Sequence, residues 1–463
     1  MPIGDLAPEL AVLFTAVAIL LLAMVLPQDR HGWCAALAAA GLGVAMVLAW
    51  GQAGAERLTF SGTFAIDGAT TWARLAIPGL TICCVGMAPR WFATDRRHGE
   101  FYAILLFSAL GAMAIAGAAD LMQLTVAMLL SSVTGYVLAA YHRDWAISLE
   151  AGMKYFLIGA LANALMVIGV VLVMGMAGSS DYGELAGSIP SDPVTVTGLV
   201  LVLMALFFKL GAVPGHTWVP DVAEGAPVPA AAFLTVIPKL AGAVALYRVI
   251  SLVPGLQTLP LLVAVVAAIT MTVGNLSALW QDDVRRLLGW SSVSQTGYAL
   301  MAVAVAGAVP QALPALLAFM TVYGIANVLA FAAIAELRGR TALADFSGLF
   351  RTQPYAMGAV TLAFLSFVGI PPLAGFLGKF ALFAATLEGG LAWLATIAVA
   401  NTVLSLFYYL RVIGPAAFDR GEGQAGTLGG TARGTLWAAF ALLLIASLAW
   451  SPFWSWMPAS LIP

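Results

Sequence analysis

Nearly the whole chain is a succession of apolar runs, each close to 20 residues long, with only short polar connections between them. The hydrocarbon core of a bilayer is about 30 Å thick and needs about 20 residues of α-helix to cross it. Inside lipid every backbone N–H and C=O must be paired within the protein, so runs of this kind fold as helices. Fourteen are expected, over 8–26, 33–50, 71–89, 100–118, 120–141, 150–175, 194–213, 229–252, 258–281, 287–308, 311–337, 354–387, 390–413 and 433–457. Only 9% of the 463 residues are charged and 62% are hydrophobic, whereas a soluble domain carries about a quarter charged residues. The fold class expected is therefore all-α and polytopic, a single membrane domain over residues 1–463, with longer loops only at 51–70, 176–193 and 414–432.

Several functions are excluded by what these runs contain. A net charge of −2 leaves no basic tract for nucleic acid or anionic lipid. Cys34, Cys83 and Cys84 lie in apolar segments with no CxxC or Cys/His cluster, so neither a disulfide framework nor an iron–sulfur or zinc site is expected. No GxGxxG or P-loop occurs. Asp5 and Glu9 precede the first apolar run with no basic residue before it, which suits a first span rather than a cleaved signal peptide. No catalytic residue and no metal ligand set is expected; a chain of this kind moves something through the membrane.

Arginine placement sets an expected orientation, because cytoplasmic loops collect positive residues. Connections after odd-numbered runs hold Arg30, Arg90, Arg96, Arg97, Arg143, Arg285, Arg286, Arg338, Arg340, Arg351, Arg411, Arg420 and Arg433. Those after even-numbered runs hold little beyond Arg57, with Arg74 and Arg248 near span ends. Both termini are thus expected in the periplasm, on a multi-pass protein of the bacterial inner membrane.

The lysines are distributed differently. All four, Lys154, Lys209, Lys239 and Lys379, sit inside apolar runs and none lies in a loop. A lysine at bilayer depth costs about 2.5–3.5 kcal/mol on insertion scales, so it usually faces a bundle interior or a water-filled path. Desolvation makes an amine able to give up its proton, which arginine hardly does. Snorkelling to the interface is the alternative for a lysine near a helix end. Two of the runs are interrupted beside a lysine, in FFKLGAVPGHTWVP after Lys209 and in GIPPLAGFLGKF before Lys379, and Lys239 directly follows Pro238. Proline frees backbone carbonyls, which then need water or side-chain partners. The interrupted pair, five runs apart, suggests two inverted five-helix repeats, 100–252 (helices four to eight) and 258–413 (helices nine to thirteen), flanked by 1–99 and 414–463.

Other groups join the lysines. Glu150 lies four residues before Lys154, on the same helix face and in the favourable order, where the two can share a proton or simply form a helix-end ion pair. Lys239 has no carboxylate within a helical turn and is the strongest candidate for a proton relay. His216, in PGHTWVPDVAEGAP, either links a buried path to solvent or belongs to an interfacial loop anchored by Trp218, with Asp221 and Glu224 behind it. Asn163, Asn275, Ser291, Ser292, Gln295, Tyr323 and Asn327 are polar groups at span depth, able to join helices or to order water.

SLEAGMKYFLIGALANA (148–164), FFKLGAVPGHTWVPDVAEGAPVPAAAFLTVIPKLAG (207–242), GNLSALWQDDVRRLLGWSSVSQTGY (274–298) and GIPPLAGFLGKF (369–380) together resemble the antiporter-like membrane subunits of respiratory complex I, the subunit N (ND2-type) branch above all. The resemblance covers most of the chain. It implies fourteen helices, inverted repeats, broken helices seven and twelve, and a hydrated polar axis. It also implies proton transfer through Lys209, Lys239 and Lys379, with Glu150 and Lys154 tuning the uptake side and Lys379 serving the outlet or the next subunit. His216, Gln295 and Tyr323 are secondary candidates. The partners implied are neighbouring subunits of the M and K types, the lipid bilayer and protons. NADH, FMN, iron–sulfur clusters and quinone are implied on partner subunits and no cofactor on this chain. Two departures stand out: Leu129 occupies the position where the family has a helix-five glutamate facing the helix-seven lysine, and Gln295 stands where subunit N often has histidine. A Mrp-type cation/proton antiporter subunit, or a non-conducting structural subunit of the membrane arm, are the alternatives.

Overall fold

The computed structural model describes residues 2–95, 98–256, 258–338, 341–420, 427–459 and 461–462; Arg96, Arg97 and Arg340, used above for orientation, lie outside them. In chain order the elements are α1 (Ala7–Val25), α2 (Gly32–Trp50), the hairpin β1 (Arg57–Thr59) and β2 (Phe64–Ile66), α3 (Gly68–Trp91), α4 (His98–Ala116), α5 (Leu121–Ala139), α6 (Ala146–Ala177), α7 (Tyr182–Leu185), α8 (Pro193–Leu210), α9 (Trp218–Gly225), α10 (Val228–Leu234), α11 (Ile237–Ser251), α12 (Thr258–Ala278), α13 (Val284–Val303), α14 (Ala312–Glu336), α15 (Leu349–Thr352), α16 (Pro354–Val368), α17 (Ala374–Glu388), α18 (Ala392–Phe418), α19 (Gly430–Leu448) and α20 (Trp450–Ser455).

Among the described residues twelve helices are long and apolar enough to cross a membrane. The two expected runs outside that set have physical reasons to be. The run at 287–308 is α13, whose Ser291, Ser292, Ser294, Gln295 and Thr296 make it too polar for a hydropathy criterion. The run at 354–387 is split by residues 369–373 into α16 and α17, each of 15 residues. Side-chain capping starts several helices: Asp67, Asp120, Asp192 and Asp283 each accept backbone N–H bonds at the N-terminus of α3, α5, α8 and α13.

The apolar windows of Val228–Ser251, which holds α10 and α11, and of α14 are 100% and 94% buried, while those of α1, α6 and α19 are only 33% buried. The segment 228–251 and α14 therefore occupy the centre of the bundle, while α1, α6 and α19, which turn apolar side chains to the lipid, form its periphery. Connections after alternate spans meet on two opposite faces. On one, Ala65 N donates to Gly117 O (2.8 Å), Leu121 N to Ser180 O (3.0 Å) and Ile462 N to Asp67 Oδ2 (2.9 Å). On the other, Val284 N donates to Thr341 O (2.7 Å), and Arg433 pairs with Glu336 (2.6 Å). The Asp5–Arg57 ion pair (2.5 Å) ties the N-terminal segment to the hairpin side, the same face as the C-terminal tail.

Two arginines that read as span-end residues are fully buried clamps. Arg74 on α3 binds Glu9 of α1 through two bonds of 2.7 and 2.8 Å and also reaches Gln52 Oε1 (2.7 Å). Arg248, at the end of α11, pairs with Asp67 (2.7 Å) and donates to Ile462 O (2.6 Å), holding the C-terminal tail against α3. Breaking such buried pairs leaves an uncompensated charge in a low-dielectric interior.

Candidate functional site

Three backbone interruptions meet near the bundle centre, each with a buried lysine. Lys209 stands in the last turn of α8, just before Gly211 takes the left-handed conformation (φ 70°) and stops the helix. A side chain there would be strained, and a Cβ on Gly211 would lie 2.5 Å from Val219 Cγ2 and 3.3 Å from Lys239 Nζ. Lys239 follows the gap between α10 and α11, where the chain leaves helical geometry at Val236 (φ −126°, ψ −63°). The two lysines are thus neighbours across α8 and α11: the Lys209 stem runs past Gly242, where a Cβ would sit 3.4 Å from Lys209 Cγ. Lys379 lies on α17 beyond the 369–373 break, its Nζ 3.3 Å from Val368 O, with Gly369 (φ 88°) against its stem.

The polar face of α13 runs between these interruptions. Lys239 Nζ donates to Ser292 Oγ (2.6 Å), Ser292 O (3.0 Å) and Thr296 Oγ1 (3.2 Å). Tyr323 OH donates to Ser292 Oγ (2.7 Å) and receives Asn327 Nδ2 (3.0 Å), while Thr235 Oγ1 donates to Asn327 Oδ1 (3.2 Å). One turn on, Gln295 Nε2 donates to Phe367 O (3.1 Å) at the end of α16, using a carbonyl near the 369–373 break. Tyr298 then presents its ring 4.0 Å from Lys379 Nζ, a cation–π contact, with its hydroxyl tied to Thr402 Oγ1 (3.0 Å). Gln295 and Tyr323 are both part of this network.

Lys209 has a sparser environment. Its Nζ donates to Ser132 Oγ on α5 at 3.3 Å. Leu129, expected where the family has a glutamate facing the helix-seven lysine, is 40% exposed on the outer side of α5 and does not face Lys209; the buried face there carries Met128 and Ser132. Asp120 is committed elsewhere: it caps α5 through Met122 N (2.7 Å) and accepts Ser180 Oγ (2.6 Å).

The placement of Lys154 corrects the expectation that all four lysines lie in the interior. Its side chain is 43% exposed, on the outer side of α6, paired with Glu150 (2.7 Å) and Asp221 (3.2 Å). Asp221 and Glu224 also bind Arg286 (2.7 and 2.8 Å), so these four groups and Glu150 form one mixed-charge cluster at the α6–α9–α13 junction. A shared helix face does not say which way that face points, which is why spacing alone could not place the pair. His216 stands apart from the acidic residues behind it, its ring packed on Trp290 at 5.7 Å. Trp218 is buried rather than interfacial: it stacks on Tyr155 at 4.2 Å and donates to Phe208 O at 3.1 Å, locking α9 under the end of α8. Ser292 and Thr296 as lysine partners, Ser132 beside Lys209 and the Tyr298 ring under Lys379 emerge from the fold; Ser292 was visible only as one polar residue among several.

This architecture, broken helices carrying buried amines within a multi-pass bundle, defines a membrane protein of the antiporter-like class. The model of the family described as NADH:quinone oxidoreductase/Mrp antiporter, TM, matches residues 118–405. The chain belongs to that family. Among curated proteins it is similar to NADH-quinone oxidoreductase subunit N of Mycobacterium sp. (strain JLS), with 42% identity over 414 residues, 89% of this chain and 88% of the relative. Among solved structures it superimposes on a chain of respiratory complex I from Thermus thermophilus with a TM-score of 0.86 and 30% identity, covering 98% of this chain and 100% of that one. A chain of the Mrp complex from Dietzia sp. DQ12-45-1b shares the fold, with a TM-score of 0.86 at 21% identity over 99% of this chain and 97% of that one.

Proposed function

We propose that the chain is a proton-translocating, subunit N-type member of the membrane arm of an NADH:quinone oxidoreductase, and that protons pass between Lys209, Lys239 and Lys379 through the side chains of α13 and intervening water. In this reading the redox cofactors belong to partner subunits, and neighbours of the M and K types flank the chain in a bacterial inner membrane with both termini periplasmic. Counting α13 as a span and α16 with α17 as one broken span brings the total to fourteen, in two inverted repeats, 100–252 and 258–413. The observation that carries the reading is that each of three helix interruptions holds a buried amine while the polar face of α13 touches Lys239 and Lys379 directly and reaches the break beside Lys209 through Thr296 Oγ1, which donates to Leu210 O (2.8 Å). Tyr155 OH, Asn163 Oδ1 and Ser366 Oγ are buried with no hydrogen-bond partner among the described residues. Such groups are as a rule satisfied by ordered water, which supports a hydrated path. Glu150 and Lys154, on the outer face, tune the uptake side at the junction with a neighbour, with His216 and Trp290 beside the first break.

Lys239→Met in the assembled complex is the test. Proton translocation driven by NADH oxidation is expected to fall while the subunit still assembles. A Mrp-type antiporter would instead exchange sodium for protons without NADH oxidation. α5 carries no Asp or Glu, so Lys209 has no carboxylate from that helix; this favours one other reading, a structural subunit that no longer conducts, and full pumping by an assembled Lys239→Met complex would be its signature.

A further inference from the structure

Lys209 Nζ reaches Ser132 Oγ at 3.3 Å, and α5, which supplies that serine, offers no carboxylate. The only ionisable side chain on α5 is Tyr136. It stands one helical turn beyond Ser132, and long helical side chains lean back over the preceding turn, so its hydroxyl comes within hydrogen-bond reach of Ser132 Oγ. Asn163 Nδ2 of α6 donates to the same hydroxyl at 3.4 Å. α6 also leaves room for it: a Cβ on Gly159 would lie 2.0 Å from the Tyr136 hydroxyl oxygen and 2.6 Å from Cζ. The ring packs edge-on against Tyr155 at 5.0 Å and Phe156 at 5.5 Å. The residue is nevertheless only half-buried, and it lies within one turn of the end of α5 at Ala139. Packing accounts for the ring. It does not account for a hydroxyl held between an amide and the serine that Lys209 touches.

We propose that Tyr136 is the proton partner of Lys209, joined to it through the Ser132 hydroxyl. The inference rests on the proton-translocating reading above and names the group that serves Lys209 in place of a carboxylate. The step is a concerted hop. A hydronium ion at the phenol gives a proton to the phenol oxygen, the phenol proton passes to Ser132 Oγ, and the Ser132 proton forms a new N–H bond on the neutral Lys209 amine. Tyr136 and Ser132 end as they began, the lysine gains one proton and its positive charge, and the hydronium is left as water. Release runs through the same bonds in reverse. Each hydroxyl can donate and accept at once, which such a chain requires, whereas the Asn163 amide N–H only holds the phenol in place.

The experiment measures the initial rate of NADH-driven proton uptake into inverted membrane vesicles, per assembled complex, for Tyr136→Phe, Ser132→Ala and the two combined. A positioned proton-transfer group contributes about 100-fold or more, so Tyr136→Phe, which keeps the ring and removes one oxygen, is expected to slow uptake by about that factor. Ser132→Ala does the same, and the double variant is no slower than either single one because both groups lie on one path; two independent packing defects would add. Replacing Tyr136 with 3-fluorotyrosine, a more acidic phenol of nearly the same shape, moves the pH profile of uptake to lower pH, which a phenol that only packs does not do. Wild-type uptake by Tyr136→Phe, additive losses in the double variant, or an unmoved pH profile overturns the inference. Lys239→Met is measured alongside. If it is impaired while Tyr136→Phe takes up protons normally, this inference alone fails; if it takes up protons normally, the translocation reading fails and this inference with it.

Discussion

Ser292→Ala removes one hydroxyl from the centre of the lysine axis. Ser292 Oγ accepts the shortest of the three bonds from Lys239 Nζ, 2.6 Å, and also accepts from Tyr323 OH at 2.7 Å. The variant leaves Lys239 with Ser292 O at 3.0 Å and Thr296 Oγ1 at 3.2 Å, and leaves Tyr323 OH with Thr235 O at 3.2 Å. A hydrogen bond to a charged group contributes about 1.5–3 kcal/mol. If that bond stabilises the protonated amine during transfer, its loss slows the relay by about 10- to 100-fold, since each 1.4 kcal/mol is a factor of ten. The assay is the initial rate of NADH-driven proton uptake into inverted membrane vesicles, normalised to NADH oxidation and to the amount of assembled complex. Ser292→Thr, which keeps a hydroxyl, serves as the control and is expected to retain most of the rate. Wild-type pumping per NADH in Ser292→Ala, at equal assembly, would refute the reasoning, because the strongest bond to the central amine would then have no part in transfer.

Other outcomes follow from the same geometry. Tyr298→Leu removes the ring facing Lys379 and is expected to slow pumping by about tenfold or more, as a desolvated cation–π contact contributes about 2 kcal/mol, whereas Tyr298→Phe retains the rate; both are read in the same vesicles. Ser132→Asp places a carboxylate beside Lys209 and shifts the pH dependence of pumping, while Leu129→Glu, on the outer side of α5, leaves that profile unchanged. Arg248→Leu strands the buried Asp67 carboxylate and is expected to destabilise the fold by about 3–5 kcal/mol, measured as a lower midpoint of thermal unfolding in detergent and faster proteolysis of the C-terminal tail. Burial raises the Asp67 pKa, but Arg248 and the N–H groups of Thr70 and Ile462 outweigh it and hold the carboxyl below its usual 3.8. A depressed carboxyl stabilises above its unfolded pKa, so tail anchoring is expected to persist at neutral pH and to be lost only as the pH falls below 3.8, through the lower folded value.

Much of this framework is local in sequence and so could be read there. The interruptions beside Lys209, Lys239 and Lys379 follow from Pro214, Pro238, Pro371 and Pro372 with their glycines, which act within one helical turn. The polar character of α13 was equally plain in WSSVSQTGY. What those polar groups bind was not, because Ser292 and Lys239 are 53 residues apart and Gln295 and Phe367 72 apart, and only packing brings them together. The same holds for the Arg248–Asp67 and Arg74–Glu9 clamps, whose partners are 181 and 65 residues distant. Lys154 shows the opposite limit. Its partner Glu150 is local and legible in the sequence, but the side of α6 that carries both is set by α9 and by the bundle, not by the four-residue spacing.

The most direct measurement is a structure of the intact complex at a resolution that locates water. A file of ordered water running from Lys209 past Lys239 and the α13 hydroxyls to Lys379 is predicted. A dry, apolar gap separating any two of these nitrogens would contradict it.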